Sequence, residues 1–123
     1  MSILNRRGWI GVDLDGTLAV YEPTPVWDGS IGAPVSEMIE RVRRWLAEGR
    51  DVRIFTARVA PCAGVTDGPR AIDVQWRLIE DWCRTHLGTA LPITATKDFD
   101  LVEFWDDRCV EVVRNTGRRR VQP

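Results

Sequence analysis

In GVDLDGTLAV, residues 11 to 20, an apolar run suited to a buried strand carries two aspartates one residue apart. Withdrawing a carboxylate from water is costly, and a second one close by repels the first. Asp13 and Asp15 therefore need compensating partners. Thr56, Lys97 and the adjacent pair Asp106 and Asp107 are the residues placed to supply them or to share their site. Four carboxylates converging on one rim would repel strongly, and one lysine offsets only part of that charge. A hard divalent cation resolves the conflict. An all-oxygen ligand set without histidine or thiolate suits Mg²⁺, which prefers octahedral oxygen coordination and binds through one or two carboxylates plus substrate phosphate and water. A phosphorylated substrate would also give the Lys97 ammonium and the Thr56 hydroxyl a use, as donors to its oxygens.

For these residues to meet, the chain must bring several strand ends to one edge. GWIGVDL, residues 8 to 14, reads as a first strand, DVRIFT, 51 to 56, as a second, LPITA, 91 to 95, as a third and LVEFWDD, 101 to 107, as a fourth. Between the first two, Val35, Met38, Ile39, Val42, Trp45 and Leu46 recur at helical spacing and Gly49 ends the helix. Between the second and third, Ile72, Trp76, Ile79 and Cys83 form the expected buried stripe of another helix, stopped at Gly88. A short helix through Val110 and Val113 should follow the fourth strand, with RRRVQ as a weak edge strand. Proline and glycine make 19 to 34 a flap and 57 to 70 a loop. The alternation predicts an α/β fold: a three-layer, Rossmann-like, mostly parallel sheet with helices on both faces, in one domain over 1 to 123 without a large cap. In such sheets ligands bind outside the carboxyl ends of the strands. Asp13, Thr56, Asp106 and Asp107 end strands in this reading, and Lys97 follows one.

Composition narrows the classes of function. The 123 residues are 44% hydrophobic and 28% charged with net charge -1, which excludes a disordered chain and a generally basic nucleic-acid binder. Arg118 to Arg120 read as a solvated tail or edge strand, with phosphate contact as the alternative. No run approaches the ~20 apolar residues that span a bilayer, and MSILNRRGW lacks a signal core, so the expectation is a cytoplasmic protein without membrane contact. Cys62, Cys83 and Cys109 fit neither a disulfide framework nor a zinc site and read as reduced thiols. The one histidine, His86, falls at a helix end just before Gly88, as a capping or surface residue.

DLDGTL at 13 to 18, followed in order by Thr56, Lys97 and the Asp106–Asp107 pair, resembles the haloacid dehalogenase-like superfamily of phosphotransferases, and the resemblance runs from Gly11 to about Gly117. It implies Asp13 as a nucleophile that forms an aspartyl-phosphate, and Asp15 as the acid that protonates the leaving oxygen and then the base that activates water. It implies phosphoryl contacts from Thr56 and Lys97, and Mg²⁺ held by Asp106 with Asp107 beside or behind it, by the Asp13 side chain and by the Asp15 carbonyl. Asp15 favours a phosphatase over dehalogenases and ion-pumping ATPases of the superfamily, which carry no aspartate there. The flap leaves no room for the cap on which phosphomutases depend. DLDGTLA, TAR and DDR also look like the phosphatase half of phage-type polynucleotide kinase-phosphatases, which implies a nucleic-acid 3′ end as the alternative to a small phosphorylated molecule. An open site could instead be covered by a second subunit of a homo-oligomer. Arg58 and Trp27 are candidate substrate contacts; their plain alternatives are a surface arginine and a core tryptophan.

A calcium-binding loop would need a glutamate twelve positions into DLDG, where Thr24 stands. A phosphoacceptor receiver module uses similar residues, but with its acidic pair first and its accepting aspartate later, the reverse of the order here. Thr56 alone could be a strand-end hydroxyl, Lys97 a loop lysine, and one of Asp106 and Asp107 a helix cap.

Overall fold

The computed structural model describes residues 8–61 and 67–121. Four strands, β1 (Trp9–Asp13), β2 (Asp51–Phe55), β3 (Ile93–Thr94) and β4 (Leu101–Trp105), form one all-parallel sheet in the order β3-β2-β1-β4. Helix α1 (Ser36–Ala47) connects β1 to β2, and α2 (Ile72–Leu87) connects β2 to β3. Asp13 pairs in register with Phe55, and Val12 with both Ile54 and Trp105, so the carboxyl ends of the three longer strands lie level.

Alternation along the strands decides what lies on each face. Ile10, Val12, Val52, Ile54 and Ile93 are buried in one cluster with Met38, Ile39 and Val42 of α1 and Ile79, Trp82, Cys83 and Leu87 of α2. Each such Ile or Val, if removed from water entirely, contributes roughly 1.5–3 kcal/mol. Both helices therefore share one face, and the expected helices on both faces are not found among the described residues. The strand order explains this. Two right-handed crossovers stepping in the same direction, from β1 to β2 to β3, must lie on the same side. A helix on the opposite face would have to come from the connection between β3 and β4, which is only residues 95–100. That face is covered by side chains instead. Trp9 stacks on Phe55 with centroids 6.3 Å apart, Phe55 meets Phe104 at 4.9 Å, and Arg53 lies 4.8 Å above the Trp9 ring. Asp98 accepts the Trp9 indole N–H at 2.8 Å, which holds its carboxyl below the usual carboxylate value.

Two local expectations change. In α2 the buried stripe passes through Gln75, which is fully buried, whereas Trp76 is 38% exposed. After β4 the described residues form no helix: Asp106 accepts the Arg108 N–H at 2.8 Å in a turn, and residues 111–120 fold back on themselves through an antiparallel bridge between Val112 and Arg119. Asn115 at φ 67 and Gly117 at φ 71 turn that ribbon, so Asn-Thr-Gly makes a hairpin rather than a helix stop. Arg119 lies on its exposed returning strand. Burial raises the Cys83 thiol to about 11, which keeps it inert, while Cys109 is exposed and Cys62 lies outside the described residues. No helix among the described residues is long and apolar enough to cross a membrane.

Candidate active site

Asp13 is the last residue of β1, so its odd position turns it away from the helical core and towards the rim. The chain then reverses: Gly16 N–H donates to the Ala19 carbonyl at 2.8 Å, and Ala19 N–H to the Leu14 carbonyl at 2.8 Å. Gly16 sits at φ +90, and a Cβ there would stand 2.5 Å from an Asp107 oxygen, so glycine is needed both for the turn and for the approach of β4. Thr17 ties the two strand ends together. Its hydroxyl donates to Asp13 at 3.4 Å and accepts the Asp107 N–H at 3.1 Å.

Asp13, Asp106 and Asp107 consequently each present an oxygen within 4.8 Å of the other two. Burial first, then the neighbouring charge of Asp106 and the contact with Asp107, push the Asp13 carboxyl from 3.8 up to about 7. Three carboxylates in that space, all with oxygen donors and no soft ligand, have the donor chemistry of a Mg²⁺ site. The raised value has a consequence for stability. A carboxyl that binds its proton more tightly when folded contributes fully at a pH below about 4, and loses that contribution as pH rises through about 7. In chelator, the unfolding free energy should fall by about 2 kcal/mol between pH 5 and pH 8, allowing for solvent screening of the partly exposed group. Mg²⁺ at pH 8 should restore it. Denaturant melts at both pH values check this, and a metal-free protein that is more stable at pH 8 would contradict the crowding.

Asp15 faces a different partner. Arg58 holds both of its oxygens, Nε to Oδ2 at 2.8 Å and an Nη2 hydrogen to Oδ1 at 2.7 Å. The same guanidinium donates to the Gly29 carbonyl, the Gln75 amide oxygen and the Ser30 carbonyl, each at 2.8 Å. A guanidinium has five N–H donors, and all five are engaged. Its face lies 5.0 Å from the Trp27 ring. Arg58, expected to contact substrate, lines the cavity beneath the flap, and its five donors are committed to Asp15, Gln75 and the flap. Gln75 completes the junction: its Nε2 donates to the Pro69 carbonyl at 2.6 Å and approaches Gly29 O at 3.4 Å. A buried glutamine in place of an apolar residue on the α2 stripe was the signal for this role, and the periodicity of the stripe, which reaches Trp76 equally well, concealed it.

The flap is fastened at its base by Val20 N–H to the Ala33 carbonyl and by the Trp82 indole N–H to the Gly32 carbonyl, at 2.8 and 3.0 Å. Beneath it opens a cavity of about 460 Å³ whose lining includes Asp13, Asp15, Thr56, Trp27 and Asp107. Thr56 is buried at the end of β2, where its hydroxyl accepts the Arg58 N–H at 3.1 Å and starts a single 3-10 turn, Ala57–Val59. Lys97 does not line this cavity. It is exposed, next to Asp98, which is bonded to the first residue of β1, at the end opposite Asp13. A chain leaving the carboxyl end of β3 to enter parallel β4 must run back along the sheet, and Lys97 lies on that return. The cations that do line the cavity are Arg58, already committed to Asp15 and the flap, Arg70 and Arg108. Arg70 came from a loop with no periodicity to place it.

Comparison with known proteins finds no family model that matches the chain, and no curated protein or solved structure similar to it.

Proposed function

We propose that this protein is a Mg²⁺-dependent phosphomonoester hydrolase acting through phosphorylation of Asp13, built on a capless core of the haloacid dehalogenase-like kind. The observation that carries the reading is the convergence of Asp13, Asp106 and Asp107 within 4.8 Å at the end of one parallel sheet, with Asp15 clamped separately by Arg58. Two carboxylates one residue apart in sequence thus have different surroundings, Asp13 crowded by Asp106 and Asp107 and Asp15 paired with Arg58, so they are suited to different roles.

In this reading an oxygen of Asp13 attacks phosphorus while the bond to the leaving oxygen breaks. The electron pair goes to that oxygen, which takes a proton from Asp15. Water then attacks the acyl phosphate, gives its proton to Asp15, and returns Asp13 as a carboxylate with release of inorganic phosphate. Asp106, Asp107 and Asp13 would hold Mg²⁺, which supplies charge stabilisation to the phosphoryl oxygens. Thr56 orders the 3-10 turn through the Arg58 N–H and lines the phosphoryl side, while Arg70 and Arg108 add positive charge to the same wall. Lys97 is given no role in this reading, since it does not line the cavity.

Multiple turnover tests the proposal. With Mg²⁺, purified protein should release many equivalents of phosphate from an aryl phosphate, and excess chelator should reduce the rate to background. A single equivalent of covalently bound phosphate and no release would instead identify a receiver-like module, and no phosphate transfer at all would remove both readings.

A further inference from the structure

Asp15, Tyr21, Trp27 and Arg58 line the main cavity and also a second one, of about 330 Å³, which is lined otherwise by flap residues. The carboxylate assigned to carry the proton therefore sits on a wall shared by two chambers. One chamber holds Asp13 and Thr56. The other is bounded by flap residues, among them Glu22, Asp28 and Ser30. A leaving oxygen protonated by Asp15 would have its phosphorus in the first chamber and its carbon in the second.

The second chamber has a definite chemical character. Tyr21 and Trp27 give it two aromatic walls, and Trp27 is held in place by its 5.0 Å contact with the Arg58 guanidinium. Its one lining cation among the described residues is Arg58, whose five donors are all engaged. Glu22 and Asp28 line it too, and hydrogen bonds from the Ser30 side chain and backbone, with a smaller contribution from the Arg58 charge, hold the Asp28 carboxyl below its usual value. The positive charge supplied by Arg70 and Arg108 belongs to the phosphoryl side alone.

We propose that this chamber is the leaving-group site, and that it selects small alcohols or phenols that present a planar ring and carry no negative charge. The inference rests on the phosphatase reading and extends it to substrate class. A nucleic-acid 3′ end, which brings further phosphates in on the leaving-group side, meets an excess of carboxylates there, Asp15, Glu22 and Asp28 against Arg58 alone among the described lining residues.

Four substrates test the assignment on the native protein with Mg²⁺: methyl phosphate, phenyl phosphate, 4-carboxyphenyl phosphate and a 3′-phosphorylated oligonucleotide. Phenyl phosphate should exceed its carboxylated analogue at least about tenfold in kcat/KM, and the oligonucleotide should be the poorer substrate as well. In the Glu22→Gln, Asp28→Asn double variant, the ratio of phenyl to carboxyphenyl turnover, read within that variant, should fall at least about threefold. Asp28→Asn keeps the side-chain oxygen that orders Ser30, so the flap retains its anchor. Trp27→Ala should lower kcat/KM for phenyl phosphate more than for methyl phosphate, a difference that general loss of fold would not produce. Equal turnover of the charged and uncharged aryl esters, or preference for the oligonucleotide, would overturn the leaving-group assignment while leaving the phosphatase intact. Failure to hydrolyse any of the four, methyl phosphate included, would remove the phosphatase reading and this inference with it.

Discussion

Asp13→Asn is expected to lower phosphate release from an aryl phosphate by at least about a thousandfold, the scale on which loss of a covalent nucleophile is felt, in a protein that remains folded. An amide oxygen cannot form the acyl phosphate, and the nearest carboxylate in sequence, Asp15, is held at both oxygens by Arg58. The same substitution should stabilise the metal-free protein at neutral pH. Asparagine has the shape of aspartate, and it removes a charge that burial and two neighbouring carboxylates oppose, the cause of the rise of Asp13 to about 7. The variant should accordingly lose the decline in stability between pH 5 and pH 8. Steady-state phosphate release and denaturant melts in chelator measure the two effects separately. Turnover within tenfold of native would remove Asp13 as nucleophile, and an unchanged pH slope would remove it as the crowded group.

Arg58→Met should cost about 3–5 kcal/mol of stability, the usual penalty for leaving a buried charge without its partner, and at least about a hundredfold in kcat. The guanidinium side chain is 6% exposed, and its removal strands both Asp15 oxygens, two flap carbonyls and the Gln75 amide oxygen. Because that variant could fail to fold, Arg58→Lys is the sharper experiment. Lysine restores the charge but offers three donors on a point cation in place of a planar fork, so it cannot hold Asp15 at two oxygens while also holding the flap. Stability should largely return, yet kcat should stay at least about tenfold low. The loss should be greater for an alkyl phosphate, whose leaving oxygen needs a proton, than for p-nitrophenyl phosphate, whose leaving group departs without one. A uniform loss across leaving groups would mean that Arg58 supports the fold without orienting Asp15. Gln75→Leu, which takes away one acceptor of Arg58 and the bond to Pro69, should show the same leaving-group dependence in weaker form.

What the linear order of residues determined on its own was most of the elements and which acidic residues stand at the ends of β1 and β4. Strand and helix periodicities placed β1, β2, α1 and α2 within a residue or two, because apolar spacing is a local property that burial enforces. Asp13, Asp106 and Asp107 could be assigned to one rim because each stands at the carboxyl end of a strand, and parallel strands in register bring those ends together. Tertiary structure decided everything that depends on direction across the sheet or on a partner far away in the chain. It put both helices on one face, left Lys97 out of the cavity lining, and made a hairpin where a helix was expected. It also committed every donor of Arg58 to Asp15, Gln75 and the flap, which no spacing rule could indicate. The physical reason is that a hydrophobic period says which side of an element is buried, whereas the partner of a buried polar group is set by whichever segments the crossovers bring alongside it.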